Sequence, residues 1–282
     1  MENNPGARAH LSVSIVLYYS PIARLLSTVT SLYAACLRAS DDGELESVSI
    51  LVVDNSESQP YSAVACKALD KLEFDHSVAL TYIESGENHG FGAGHNQVLP
   101  GISSDYHLVL NPDVELAVSA LSHGLSAMRQ DAQLALASPR VLGRTGGQEF
   151  LCKRYPSVGV LLLRAFAPAF VRDYFRAQLD RYEMRAACVG DQNTDVLLAS
   201  GCFMLMRSGA FAGVSGFNTG YFLYFEDFDL SLRLAEHGRL RYVPKIEITH
   251  HGGYAATKGL RHIWYFIKSG TRFFNDHGWK WI

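Results

Sequence analysis

Four short apolar runs, each closed by a polar cluster and separated from the next by a helix-length segment, constrain this chain more than any other feature. Val13–Leu17 ends at Tyr18-Tyr19-Ser20, Ser49–Val53 at Asp54-Asn55-Ser56, Val78–Ile83 at Glu84-Ser85-Gly86-Glu87-Asn88, and His107–Leu110 at Asn111-Pro112-Asp113. Runs of this length and apolarity read as strands, and segments near 21–38, 61–72 and 92–101 supply the crossover helices of a mainly parallel sheet. Open α/β sheets bind ligands beyond the carboxyl ends of their strands. Four polar clusters in equivalent places therefore predict one site.

The second half is less regular. A helix near 117–130, a strand near Leu134–Ala137 and a mixed region from Gly143 to Asp195 precede a helix from Phe228 to His237, with Gly238 as its stop. Two strand-like runs, Leu240–Val243 and Ile246–Thr249, then lead to His250-His251-Gly252-Gly253. No repeat or linker marks a second independent unit. The expectation is one α/β catalytic domain over 1–257, with a nucleotide half at 12–115 and an acceptor half at 116–255, followed by a C-terminal segment at 258–282.

Composition excludes several classes. A net charge of −3 without a dense Lys/Arg block gives no field for nucleic acid. The five cysteines, Cys36, Cys66, Cys152, Cys188 and Cys202, match neither a zinc spacing nor a disulfide framework, which fits a reducing cytoplasm. Met1–His10 lacks the basic-then-apolar order of a signal peptide. The longest apolar stretches, Val158–Val171 and Val196–Met206, fall short of the roughly 20 residues of a spanning helix and read as buried core.

Asp54, at a strand end, could accept from a nucleobase N–H or a ribose hydroxyl, while Asn55 could cap the next helix; Asp-Asn-Ser is equally an ordinary turn. The stretch Asn88-His89-Gly90-Phe91-Gly92-Ala93-Gly94-His95-Asn96 lets backbone approach a ligand and opens a helix, but is neither a Walker loop nor a dinucleotide fingerprint. Asp113, with Glu115 two residues on, suits a hard divalent cation shared with substrate phosphate; a plain turn is the alternative. Glu226, Asp227 and Asp229 lie in an aromatic setting before a helix, where partial burial raises a carboxylate's pKa toward general-base range. One of them could serve only the helix dipole. Either His250 or His251 could join Asp113 at a metal. Gly201 opens a strand beneath the site on the acceptor side, and Arg207 reaches either a diphosphate or a surface acid.

Taken together, Val13–Leu17, Val52-Val53-Asp54-Asn55, Asn88 through Asn96, Leu110-Asn111-Pro112-Asp113, Gly201–Arg207 and Phe225-Glu226-Asp227-Phe228-Asp229-Leu230 resemble family 2 glycosyltransferases, over about residues 12–255. The branch they resemble is that of bacterial rhamnosyltransferases of O-antigen, lipopolysaccharide and cell-wall polysaccharide assembly. The resemblance implies a GT-A fold, a nucleoside-diphosphate sugar (dTDP- or UDP-linked), Mg²⁺ or Mn²⁺, and single displacement with inversion. It implies donor contacts from Tyr18, Tyr19, Asp54, Asn88, Gly90, Phe91, Asn96, Asn111 and Asp113, with Asp54 at the base or ribose. Asp113 and His250 would hold the metal. Asp227 would be the general base, with Glu226 and Asp229 supporting acceptor and base. The chain departs from the family's usual Thr-Tyr-Asn with Tyr18-Tyr19-Ser20, and from its first metal-motif Asp with Asn111.

From Leu260 to Phe274, Leu260, Ile263, Trp264, Ile267, Thr271 and Phe274 share one helical side, and Arg261, Lys268 and Arg272 another. With Trp279, Lys280 and Trp281 this segment, 260–281, could rest on the inner face of the cytoplasmic membrane beside a glycan or lipid-linked acceptor, or pack on the catalytic domain. Its removal after Thr257 is expected to spare donor hydrolysis. Two other functions fit the same acids: a nucleotidyltransferase acting on sugar phosphates, and a catalytically silent nucleotide-sugar-binding protein.

Overall fold

The computed structural model describes residues 8–252 and 259–282. The expected boundary at 257/258, Gly253 and the first seven residues fall outside this range.

The first half forms as its periodicity predicts. Strand β1 (Ala9–Leu17), helix α1 (Ile22–Asp41), β2 (Leu45–Asp54), α2 (Gln59–Leu69), β3 (Val78–Glu84), α3 (Phe91–Asn96) and β4 (Tyr106–Leu110) follow one another. α1 buries Leu25, Val29, Leu32, Cys36 and Ala39, spaced three or four apart on its sheet-facing side. Ser58, not Asn55, caps α2, its side chain accepting from the Tyr61 amide. The register pairs Leu17 with Asp54, Asp54 with Glu84 and Ile15 with Leu110. The carboxyl ends, and the polar clusters behind them, thus share one edge.

Next come β5 (Val114–Leu116), α4 (Ala120–Gln130), β6 (Leu134–Gly143) and β7 (Gln148–Glu149). Four short helices follow: α5 (Val158–Phe166), α6 (Ala169–Tyr174), α7 (Arg176–Tyr182) and α8 (Arg185–Cys188). β8 (Thr194–Val196), β9 (Phe203–Arg207), α9 (Ser208–Gly213), α10 (Glu226–Leu234), β10 (Arg239–His250) and α11 (Leu260–His277) complete the chain. The sheet is mixed, in the order β3-β2-β1-β4-β9-β6-β10-β5. Its first four strands are parallel, and β9 enters antiparallel between β4 and β6. The two strand-like runs near 240–249 are one strand, whose register to β6 shifts between Val243 and Glu247. Pro244 lies in that gap and has no N–H for the ladder.

Val196–Met206 is largely buried as expected, but Val158–Val171 is not core: of α5 only Val160 is buried. The hydrophobicity of that stretch is real, yet the sheet faces are already covered and the insertion lies outside them. Arg207 meets neither an acid nor the site. Its guanidinium donates to the carbonyls of Leu134, Met128 and Asp131, satisfying the end of α4.

A buried polar chain runs under the donor side. Ser14 Oγ lies 2.7 Å from His95 Nδ1 and 3.0 Å from His107 Nε2, and Ser12 Oγ lies 2.7 Å from His107 Nδ1. Burial pulls the His107 pKa down to about 3 and that of His95 well below its ordinary value, so both rings are neutral. The unfolded chain binds these protons near pH 6.5. The stability is therefore fully present above that pH and lost as pH falls toward the folded values, by about 1.4 kcal/mol per pH unit for each ring. Urea midpoints should drop between pH 7 and pH 5, and the drop should shrink in His107→Asn; an undiminished drop would clear that imidazole of the effect.

Candidate active site

Two carboxyl groups with different surroundings lie at the start of α10. Asp227 is part-buried, and each of its oxygens accepts a backbone N–H, from Gly201 at 2.9 Å and from Phe228 at 2.9 Å. Burial pushes its pKa up to about 6 against the pull of those amides. Glu226 is buried, and its Oε2 has no hydrogen-bond partner. Burial first, and then the charge of Asp227, hold its pKa well above the ordinary carboxylate range. Asp227 is thus the more readily ionised member of the pair and Glu226 the one held toward its neutral form, a division suited to a base beside a hydrogen-bond donor.

The turn that presents them is strained. Tyr224 and Phe225 have φ of +70° and +66°, in the left-handed region that bulky residues avoid. Packing holds them there: the Phe225 ring lies 5.4 Å from that of Phe273 and 5.1 Å from that of Phe266 on α11. Gly270 admits the ring, since a Cβ there would come within 3.2 Å of it. Asp229 points away from the cleft, between Arg233 at 2.7 Å and His277 Nε2 at 2.9 Å. It ties α10 to α11 and has no free oxygen for an acceptor.

The second acidic group is joined to the first through the start of β9. The Asn111 amide donates to the Cys202 carbonyl at 3.0 Å, beside Gly201 and its bond to Asp227. The Cys202 thiol, raised to about 12 mainly by burial, also feels the charges of Asp113, Asp227 and Glu149. Asp113 Oδ1 is buried without a hydrogen-bond partner and lies 3.6 Å from His250 Nε2. The other nitrogen of His250 faces Glu149 at 3.6 Å, whereas His251 turns to Glu115 at 3.0 Å. The sequence left the two histidines open; the geometry puts His250 with Asp113. Gly252 leaves room for this arrangement, because a Cβ there would lie 2.3 Å from Asp113 Oδ2.

Among the described residues no three His, Cys, Asp or Glu side chains form a ready metal cage. An unpartnered Asp113 oxygen beside an imidazole nonetheless fits a cation whose remaining ligands come from substrate phosphate and water.

A candidate donor cleft of about 360 Å³ is lined by Tyr18, Asn55, Asn88, Gly90 and Phe91, and by Arg261, His262 and Tyr265 of α11. Gly90, at φ +84°, passes so close to Phe222 that a Cβ would meet its carbonyl at 2.3 Å. Asp54, Asn96 and Tyr19, all assigned to the donor, do not line this cleft. Asp54 is completely buried and accepts from the Ser56 amide, Ser62 Oγ and the Tyr82 hydroxyl, so it fixes the loop. Its neighbour Asn55 takes the cleft position, with Nδ2 bonded to the Gly90 carbonyl and Oδ1 unpartnered. Asn96 brackets Phe217, donating to its carbonyl and accepting from its amide, both at 2.8 Å. Tyr19 does not line the cleft; its backbone donates to Ser56 Oγ.

Sequence reasoning missed Glu149, Tyr182 and the α11 residues. Glu149 sits in a two-residue strand without a periodic signal. Tyr182 is buried against the Arg164 guanidinium, and burial pushes its pKa to about 12. With Arg261, His262 and Tyr265 in the wall of this cleft, α11 is part of the candidate site, whereas the sequence set it apart as a segment after Thr257.

Comparisons with known proteins agree with this architecture. The model of glycosyl transferase family 2 matches residues 12–212. The chain is 29% identical over 217 residues to Rhamnosyltransferase WbbL of Escherichia coli K12, covering 73% of this chain and 74% of that protein. It is 25% identical over 280 residues to N-acetylglucosaminyl-diphospho-decaprenol L-rhamnosyltransferase of Mycobacterium tuberculosis, covering 94% and 85%. Two solved structures share the fold. Mannosyltransferase PcManGT from Pyrobaculum calidifontis, in complex with GDP-Man and Mn²⁺, aligns with a TM-score of 0.59 at 14% identity over 98% of this chain and 78% of that one. GalNAc-T7 with UDP, GalNAc and Mn²⁺ aligns at 0.61 and 13%, over 87% of this chain and 43% of that longer one. The sheet is thus a GT-A-like frame, and the chain belongs to glycosyl transferase family 2 as a glycosyltransferase.

Proposed function

We propose that this protein is an inverting glycosyltransferase that moves a sugar, L-rhamnose by analogy with its relatives, from a dTDP- or UDP-sugar to a hydroxyl of a glycan or lipid-linked acceptor in polysaccharide assembly. One observation carries the reading: a carboxylate poised near neutrality, Asp227, is joined through Gly201, Cys202 and Asn111 to a second acid, Asp113, with an unpartnered oxygen. In the reaction Asp227 accepts the proton of the acceptor hydroxyl, and that oxygen attacks the anomeric carbon from the face opposite the leaving group. The carbon–oxygen bond to the diphosphate breaks, and the nucleoside diphosphate departs with the electron pair. A single base and a single displacement invert the centre. Glu226, held toward its neutral form, offers a hydrogen bond to the acceptor, and Asp229 positions α10. A divalent cation, Mg²⁺ or Mn²⁺, held by Asp113 and His250 would offset charge on the leaving diphosphate.

The Asn55 carboxamide oxygen supports a pyrimidine donor, whose ring N–H it could accept, and Tyr18 and Tyr265 supply aromatic walls to the cleft. The test is a thermal-shift screen of nucleotide sugars with and without Mn²⁺, followed by product analysis. A dTDP- or UDP-sugar should raise the melting temperature in proportion to the logarithm of its concentration, and slow hydrolysis should release the nucleoside diphosphate. Pyrophosphate as product would mean a nucleotidyltransferase, and binding without turnover in the presence of acceptor glycans a silent binding protein.

A further inference from the structure

We propose that α5, α6, α11 and the C-terminal tail form one face that seats this protein on an anionic phospholipid bilayer. The first part of the apolar stripe of α11, from Leu260 to Ile267, does not face the protein. The helix packs through Ser269, Gly270, Phe273 and Phe274, leaving Leu260 86%, Trp264 55% and Ile267 57% exposed. A second element, which the sequence pattern assigned to the core, behaves alike: Leu162, Phe166 and Phe170 of α5 and α6 are exposed, Phe170 to 75%. Every exposed Phe and Trp among the described residues lies in these segments or in the residues that join and follow them.

The two elements are distant in sequence but adjacent in space. They enclose an apolar groove of about 400 Å³, with Leu161 and Phe166 on one wall and Ile263, Phe266 and Ile267 on the other. The tail completes the face: the Val158 amide donates to the Lys280 carbonyl at 2.8 Å and the Gly159 amide to that of Trp281 at 3.0 Å.

Charge identifies the occupant. Residues 158–185 and 259–282 carry nine Lys and Arg against four Asp and Glu, a net +5 in a chain whose total is −3. Arg164 borders both the groove and a polar recess of about 600 Å³, where together with Arg172, Arg176 and Arg185 it outnumbers Asp173, Asp180 and Glu183. Lys268 lies over the Trp264 ring at 5.0 Å. Aromatic and aliphatic side chains rimmed by cations match an interface of acyl chains and acidic headgroups. A second copy would bring like charges together across a two-fold contact. No described helix is long and apolar enough to cross a membrane, so the contact is a surface one.

The test is co-sedimentation of the full chain with vesicles of phosphatidylcholine alone and of phosphatidylcholine mixed equally with phosphatidylglycerol. The wild type should bind the mixed vesicles at least tenfold more tightly, and salt should weaken the preference. Phe166→Ser/Phe170→Ser and Trp264→Ser/Ile267→Ser should each lower that binding at least tenfold. A control pair of exposed residues elsewhere, Val64→Ser/Val118→Ser, should not. Arg172→Glu/Lys268→Glu, which removes no apolar packing, should abolish the preference for phosphatidylglycerol. The proposal is overturned if the wild type shows no such preference, if the α5–α6 pair binds as the wild type does, or if the control pair falls equally. Donor hydrolysis without vesicles reports on the sugar-transfer site separately, so failure here leaves that reading standing.

Discussion

Asp227→Asn is expected to lower kcat by about 100- to 10,000-fold, equivalent to about 3–5 kcal/mol of transition-state stabilisation, while changing donor affinity little. The amide keeps the size of the carboxylate and can still accept from the Gly201 or the Phe228 amide, but it cannot take a proton. Glu226→Gln provides the contrast. Glutamine resembles the neutral form toward which Glu226 is held, so kcat should stay within about tenfold of the wild type. The wild-type rate should also be lost as pH falls through about 6, where Asp227 gains its proton, and be retained above it. Equal kcat in Asp227→Asn and the wild type would remove the residue from the role of base.

Asp113→Ala is expected to raise the Mn²⁺ concentration needed for half-maximal turnover by about 10- to 100-fold or to abolish turnover. The carboxylate has one unpartnered buried oxygen and a histidine 3.6 Å away, so its loss leaves His250 as the sole candidate ligand. Glu149→Gln should produce a smaller shift in the same direction, because it weakens the partner of the far imidazole nitrogen. Isothermal titration of Mn²⁺ in the presence of the nucleoside diphosphate measures both without relying on catalysis. An unaltered titration in Asp113→Ala would place the cation elsewhere.

The parts of this molecule that could be read from sequence are those in which local pattern and tertiary position coincide. β1 through β4 are short apolar runs of a parallel half-sheet with β3 at its edge, and the register that aligns Leu17, Asp54 and Glu84 follows from their strand ends. Asp113 and the Glu226–Asp227 pair could be singled out as candidates because they close a strand and open a helix, positions where a turn or a helix-dipole role was equally open to them. What was not legible depended on which neighbour a residue meets. Asp54 and Asn55 are adjacent, and only the positions of Ser62, Tyr82 and Gly90 decide which is turned inward. Apolarity in α5 was visible, but not that the sheet had no face left to cover. Glu149 and Tyr182 come from the irregular insertion, where neither period 2 nor period 3.6 holds a side chain to a side.

The 18-residue helix α11 reaches from Arg261 and Tyr265 in the wall of the candidate donor cleft to His277 at Asp229, a span of about 24 Å from Arg261 at the usual rise per residue. A rigid rod anchored at both stations behaves as a beam: a tilt imposed anywhere along it displaces the nucleotide and the acid helix together. Substitutions on its outer surface that alter its inclination should consequently move KM and kcat in concert, a kinetic signature that a lesion confined to either end would not give.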